Sequence, residues 1–256
     1  MAKRASPEQQ PFRWPDGIRA AISLSFDDAR LSQVDRGLPV LNAHDARATF
    51  YVSLASLESR LSGWQEALAQ GHEIGNHTLR HPCTGNFSFA RGNPLEDYTL
   101  ERMERELIEA SDAIEDLLAV RPSTFAYPCG HTFVGRGEGT RSYVPLVARL
   151  FRVGRTAFDE THNSPTFCDL AQVTGLDMDC APLERVMAMV ATAVADGGWL
   201  VLFGHDVGDG GRQTTLASVL DALCRHARDR ANGLWLDTVS AIGDYVAPRA
   251  SNRIPR

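Results

Sequence analysis

The chain has 256 residues, 43% of them hydrophobic and 23% charged, and a formal charge of −6. This is ordinary globular composition, long enough to bury a large core without staples, and its acidic balance with scattered basic residues gives a nucleic-acid-binding role no compositional support, so no nucleic-acid partner is expected. The five cysteines (Cys83, Cys129, Cys168, Cys180 and Cys224) are odd in number and lack C-x-x-C spacing, which excludes a complete disulfide framework, allows one or two bridges, and favours reduced thiols.

Met1 to Asp16 is polar and contains proline. It lacks the apolar segment of an export signal, and no apolar run approaches the ~20 residues that cross a membrane. A cytoplasmic location is expected, with an exported form open if a leader precedes this sequence. The domain reading is an extension over 1–17, one domain over 18–247 and a tail over 248–256. Oligomeric state is not legible.

Ile18 to Phe26 is apolar at Ile22, Leu24 and Phe26 and reads as a strand. Further strands are expected at Ala48 to Ser53, His72 to Asn76, Ser123 to Tyr127, Phe151 to Phe158 and Ala171 to Met178. Trp199 to Phe203 is continuously apolar, as in a strand covered on both faces. Leu234 to Leu236 reads as a last short one. Thr99 to Leu118 sets Leu100, Met103, Leu107, Ile114 and Leu118 near one helical face. A second helix begins at Pro182 and stops at Gly197-Gly198. A third spans Thr215 to Ala227. Seven or eight strand–helix alternations favour an α/β barrel over an open doubly wound sheet. In either fold ligands collect past the C-terminal strand ends, where Asp27, Asp28, His77, Cys129 and His205 all fall.

Ser25-Phe26-Asp27-Asp28-Ala29 offers two carboxylates. Side chains alternate along a strand, so one carboxylate can hold a metal while the other faces a neighbouring cavity. His77 and His81 are four apart, and Pro82 marks a tight turn instead of a long helix. Two imidazoles and one carboxylate suit zinc or a similar divalent ion with positions left open. His72 reads as a surface or supporting residue. His205, after Gly204 and before Asp206, can act as a general acid. Phe125 to His131 forms a turn whose backbone N–H groups can face an oxyanion. Tyr127, Trp199 and Phe203 are equally candidates for sugar stacking and for the core.

These motifs resemble those of the polysaccharide deacetylase family, carbohydrate esterase family four, from about Ile18 to Val246. The resemblance implies an irregular (β/α) barrel, commonly seven-stranded, and a divalent metal, zinc first, with cobalt, nickel or manganese as alternatives. It makes Asp27 the catalytic base, Asp28, His77 and His81 the metal ligands, and His205 the general acid. The usual third motif R-P-P-Y-G here reads Ala126-Tyr127-Pro128-Cys129-Gly130. The oxyanion amide therefore falls to Cys129, with Tyr127 and Pro128 beside the substrate. The arginine that orients the base is replaced by Ala126. Arg152 and Arg155 are candidates for its role by strand position. Asp177 or Asp179 fills the faint fourth motif, Asp206 is a further candidate, and Ala29 stands where glycine is usual. The implied activity is removal of acetyl groups from N-acetylated, or O-acetylated, sugars of a glycan. Hydrolysis of another amide, such as a cyclic one, and carbohydrate binding without catalysis are the alternatives.

Overall fold

The computed structural model describes residues 12–250, without the side chain of residue 250. The expectations for residues 1–11 and 251–256 lie outside that range. Eight strands form one sheet: β1 (Ala20–Asp27), β2 (Thr49–Val52), β3 (Glu73–Asn76), β4 (Thr124–Ala126), β5 (Val153–Arg155), β6 (Leu176–Asp177), β7 (Trp199–Gly204) and β8 (Leu234–Leu236). Each lies within one of the apolar runs expected to be a strand, allowing a residue at the ends.

All pairings in this sheet are parallel, in the order β5-β4-β3-β2-β1-β7-β6, with β8 also on β1. Strand β1 is buried along its whole length. On one edge β8 pairs with its first residues, Ala20 to Ile22, and β2 with its last, Ser25 to Asp27. On the other edge β7 runs alongside from Ala21 to Phe26. Two strands sharing one edge make the barrel irregular, and the curled sheet is the expected (β/α) architecture. A parallel bridge from Arg155 to Val173 narrows the gap between the outer strands.

Helix α4 (Leu100–Leu118) begins at Thr99, whose hydroxyl accepts from the Arg102 N–H. It buries Met103, Leu107, Ala110, Ile114 and Leu118. Helix α6 (Leu183–Asp196) ends at Gly197, whose φ of 66° is the left-handed turn that glycine adopts without a Cβ clash. Helix α7 (Ala217–Arg228) completes the expected set. Short helices α1 (Leu38–Ala43), α2 (Leu54–Ser59), α3 (Leu61–Ala69) and α5 (Val144–Leu150), together with α8 (Val239–Ala250), were not expected. Four of them are too brief to set up a clear apolar stripe. The fifth contains Gly243 and Pro248, which contradict helix propensity and are overridden by burial of Val239, Ile242 and Val246.

The expected reduced thiols are corrected in part. Cys83 and Cys129 form a disulfide across 46 residues, and Cys168, Cys180 and Cys224 are free. No regular spacing announces this bond, because it joins two loops that only the folded barrel brings together.

Candidate active site

A cavity of about 390 Å³ opens at the C-terminal strand ends, and Asp27, Asp28, His77, His81, Cys129 and His205 all line it. The alternation argument for Asp27 and Asp28 fails here. Asp27 is the last residue of β1, but Asp28 has φ 74° and Ala29 φ 52°. This left-handed turn aims the second carboxylate into the same cavity as the first. A β-carbon at φ > 0 crowds the backbone, so the usual glycine at position 29 has a steric reason.

Asp28 Oδ1 lies 3.8 Å from His77 Nε2 and 3.7 Å from His81 Nε2. Ligands ~2.1 Å from a tetrahedral ion stand about 3.4 Å apart, so this donor set fits a divalent metal with little adjustment. The histidine turn is not helical. Thr78 and His81 have φ 66° and 49°, and the turn is tied internally. Asn76 Oδ1 accepts from the Thr78 N–H at 2.7 Å, and Thr78 Oγ1 accepts from the His81 N–H at 3.0 Å. From α4, buried Glu106 accepts from the Arg80 N–H and its guanidinium. His77 Nδ1–H donates to the Ala126 carbonyl at 2.9 Å, which leaves Nε2 free for a metal. Burial and neighbouring His77 push the His81 pKa down to about 4, against the pull of Asp28. Burial would raise the Asp28 pKa, but His77 and His81 bring it below the usual carboxylate range. A neutral imidazole and an ionised carboxylate are the forms a metal requires.

Arg155 answers the question left by Ala126. Its guanidinium is fully buried and reaches both oxygens of Asp27, at 2.5 and 2.6 Å. It also lies over the Tyr51 and Phe203 rings. Arg155 is the in-register partner of Ala126 across the β4–β5 ladder. Paired residues point to the same sheet face, so the cation enters the barrel one strand over from its usual origin. Burial alone would raise the Asp27 pKa, yet Arg155, with His77 and His205, holds it below the usual range. The alternative, Arg152, is on the surface, paired with Asp244 at 2.6 Å.

His205 follows β7. Its Nδ1–H donates to Asp179 Oδ2 at 2.6 Å, so its Nε2 is the nitrogen left for a substrate. Asp179 is fixed in turn by Thr215 Oγ1 at 3.0 Å and the His205 N–H at 3.1 Å. Gly204 permits this approach, since a β-carbon there would meet Thr215 Oγ1 at 2.1 Å. Burial lowers the His205 pKa, but the Asp179 hydrogen bond and the charges of Asp27 and Asp179 raise it above the ordinary value. Asp179→Asn is therefore expected to lower kcat about 10²-fold and to move the alkaline limb of the pH–rate profile to lower pH. An unmoved limb would remove Asp179 from this role. Asp177 accepts from the Asp179 N–H and shapes that turn. Asp206 pairs instead with Arg30 at 2.9 Å and Ser32 at 2.6 Å.

Other expectations are corrected, or resolved where two alternatives stood open. Tyr127 and Pro128 are buried and do not line the cavity; Tyr127 donates to the Ala171 carbonyl at 2.6 Å. Trp199 is core, donating to Ser23 Oγ. Phe203 is buried, yet it lines the cavity. His72 is buried, not superficial. Its Nδ1 accepts from the Ala48 N–H and its Nε2 donates to Asn42, and burial beside Arg47 pushes its pKa down to about 4.

Five residues escaped the sequence reading. Gln33 is buried, and its amide donates to the carbonyls of Asp27 at 2.6 Å and His205 at 2.9 Å, tying the ends of β1 and β7 together. Arg30 donates to Asp28 Oδ2 at 3.1 Å; its position two residues past Asp28 was the available signal. Phe89 and Phe158, 67% and 62% exposed, stand with Phe87 around the cavity mouth. Phe158 packs edge-on against Phe203.

The sequence profile of the polysaccharide deacetylase family matches residues 15–135. The chitooligosaccharide deacetylase of Rhizobium leguminosarum bv. trifolii is 30% identical over 115 residues, 44% of this chain and 48% of that protein. The peptidoglycan-N-acetylglucosamine deacetylase PgdA of Listeria monocytogenes is 27% identical over 110 residues, 43% of this chain and 21% of that protein. The chain thus spans less than half the length of either. In three dimensions it is similar to a Mycobacterium smegmatis protein described as a candidate polysaccharide deacetylase. That likeness has a TM-score of 0.69 at 18% identity and covers 97% of both chains. The sequence kinship expected from the motifs is therefore found over residues 15–135, and the deacetylase fold over nearly the whole chain.

Proposed function

We propose that this relative of the polysaccharide deacetylases is a metal-dependent hydrolase that removes acetyl groups from N-acetylated sugars of a glycan. One observation carries the reading. A buried arginine keeps the Asp27 carboxylate ionised beside, and separate from, a three-donor metal set. Holding a metal for structure alone, or binding a sugar without turnover, requires no such free base.

Asp28, His77 and His81 would hold the ion, zinc by donor type. When bound, it supplies Lewis-acid polarisation of the acetyl carbonyl and makes water more acidic. Asp27 takes the proton from the attacking water. The Cys129 N–H, in a turn with φ 55°, donates to the oxyanion as the carbonyl becomes tetrahedral. His205 Nε2, charged because its pKa is raised, gives its proton to the departing amine. The products are acetate and a free amino sugar. The Phe87, Phe89 and Phe158 rings offer flat apolar surfaces to the C–H faces of the glycan.

The test is acetate release from zinc-loaded protein with N-acetylglucosamine oligomers, beside a panel of O-acetylated glycans and cyclic amides. Acetate from the N-acetylated oligomers is expected. His77→Ala is expected to bind zinc more weakly by more than the ~10–100-fold that loss of a ligand's supporting partner costs. Turnover of cyclic amides alone would reassign the substrate. Full zinc occupancy in His77→Ala would overturn the ligand set.

A further inference from the structure

We propose that the Cys83–Cys129 disulfide is a thiol-exchange site that switches the catalytic centre between a competent oxidised form and an impaired reduced form. The inference rests on the deacetylase reading for its activity readout and on the geometry of two turns for the rest. Cys83 lies two residues past His81, and its Sγ is 3.7 Å from His81 Nδ1. Cys129 belongs to the turn that lines the cavity and to which the oxyanion role is assigned above. The bond therefore joins a metal-ligating turn directly to the oxyanion turn.

Both turns depend on conformations that side chains resist. Thr78, His81 and Cys129 are left-handed without being glycine, and Gly130 continues the second turn at φ 71°. Such residues persist only where their surroundings over-determine them. The His77–His81 turn has Asn76 and Glu106 as anchors. For the Cys129 turn, the disulfide is the one covalent anchor. Gly130 also fits against the Ala157 backbone, where a β-carbon would come within 2.9 Å of the carbonyl oxygen.

Access distinguishes the two sulfurs. Cys83 is fully buried, whereas Cys129 is half-buried and lines the catalytic cavity. A reducing thiolate entering by the mouth that admits the glycan meets Cys129 first. With a dithiol reductant, one thiolate attacks the Cys129 sulfur and the Cys83–Cys129 bond breaks. Cys83 leaves as a thiolate and takes a proton. The second thiol of the reductant then attacks its own sulfur in the mixed disulfide and frees the Cys129 thiol. Two electrons and two protons pass to the chain, and the reductant ends as a disulfide. The oxyanion turn is then untethered from the metal turn.

The test treats the zinc-loaded chain with a dithiol protein of the thioredoxin class, well below its melting temperature. Thiols are counted and circular dichroism is followed throughout. Two additional free thiols, a kcat lower by tenfold or more, and recovery on reoxidation are expected; loss of a single oxyanion donor costs ~10²–10³ in kcat. Saturating oligosaccharide should slow the reduction. A Cys83→Ala/Cys129→Ala variant should match the reduced rate and ignore the reductant. A parallel cobalt-loaded sample should change its visible absorption on reduction, because the freed Cys83 thiol then lies beside the Nδ1 of ligand His81. That signal needs no turnover, so a chain without deacetylase activity in either state but with the spectral change would sink the deacetylase reading and keep the switch. An unchanged kcat and spectrum in the reduced chain would overturn the switch. So would global unfolding on reduction, or wild-type turnover by the double variant.

Discussion

Asp27→Asn is expected to lower kcat by about 10²–10⁴-fold while the chain still takes up one metal ion. The substitution keeps the size of the side chain and one of its two oxygens. It removes the negative charge and sets an amide N–H₂ against the Arg155 guanidinium, a donor facing donors. Water then has no base, although Asp28, His77 and His81 are untouched. Steady-state acetate release and metal analysis on the same preparation check both halves. Normal turnover would remove Asp27 from catalysis, and loss of the ion would place it among the ligands.

Arg155→Leu should do more damage to the fold than any other change at this centre. Removing one partner of a buried ion pair leaves the other uncompensated and costs roughly 3–5 kcal/mol. In the native chain the Asp27 pKa is depressed. The pair's stabilisation is therefore present above the ordinary carboxylate pKa and is lost as pH falls through the lower folded value. Wild type and variant should accordingly differ most in urea unfolding near neutrality and converge in acid. Burial is the largest influence on Asp27 and acts to raise its pKa. Without Arg155 the acid limb of kcat/KM should therefore climb to higher pH. Arg155→Lys restores charge without the two-point geometry and should fall between. A variant within about 1 kcal/mol of wild type, with an unmoved acid limb, would disprove the pairing's importance.

The strands were legible because a barrel strand covered on both faces is a short apolar run between breakers. The motif residues were legible because they sit where those runs stop. What escaped reading depends on contacts between distant segments. Asp28 shares a cavity with Asp27 because of a left-handed turn, which neither period 2 nor residue type announces. The choice of Arg155 over Arg152, and of Asp179 over Asp177, turns on which neighbour in sequence faces inward. Gln33 is an unremarkable glutamine until β1 and β7 are laid side by side. Tyr127 looked like a binding residue because of the motif around it, yet its hydroxyl is used by the Ala171 carbonyl in the core.

The rung shared by Ala126 and Arg155 means that the third motif should be read across two chain segments, not along one. Paired residues share a sheet face, so either position of that rung could send a guanidinium into the same compartment. Inspection of position 126 alone would miss the guanidinium that reaches Asp27. The charge beside Asp27 is missing only where neither position of the rung carries it.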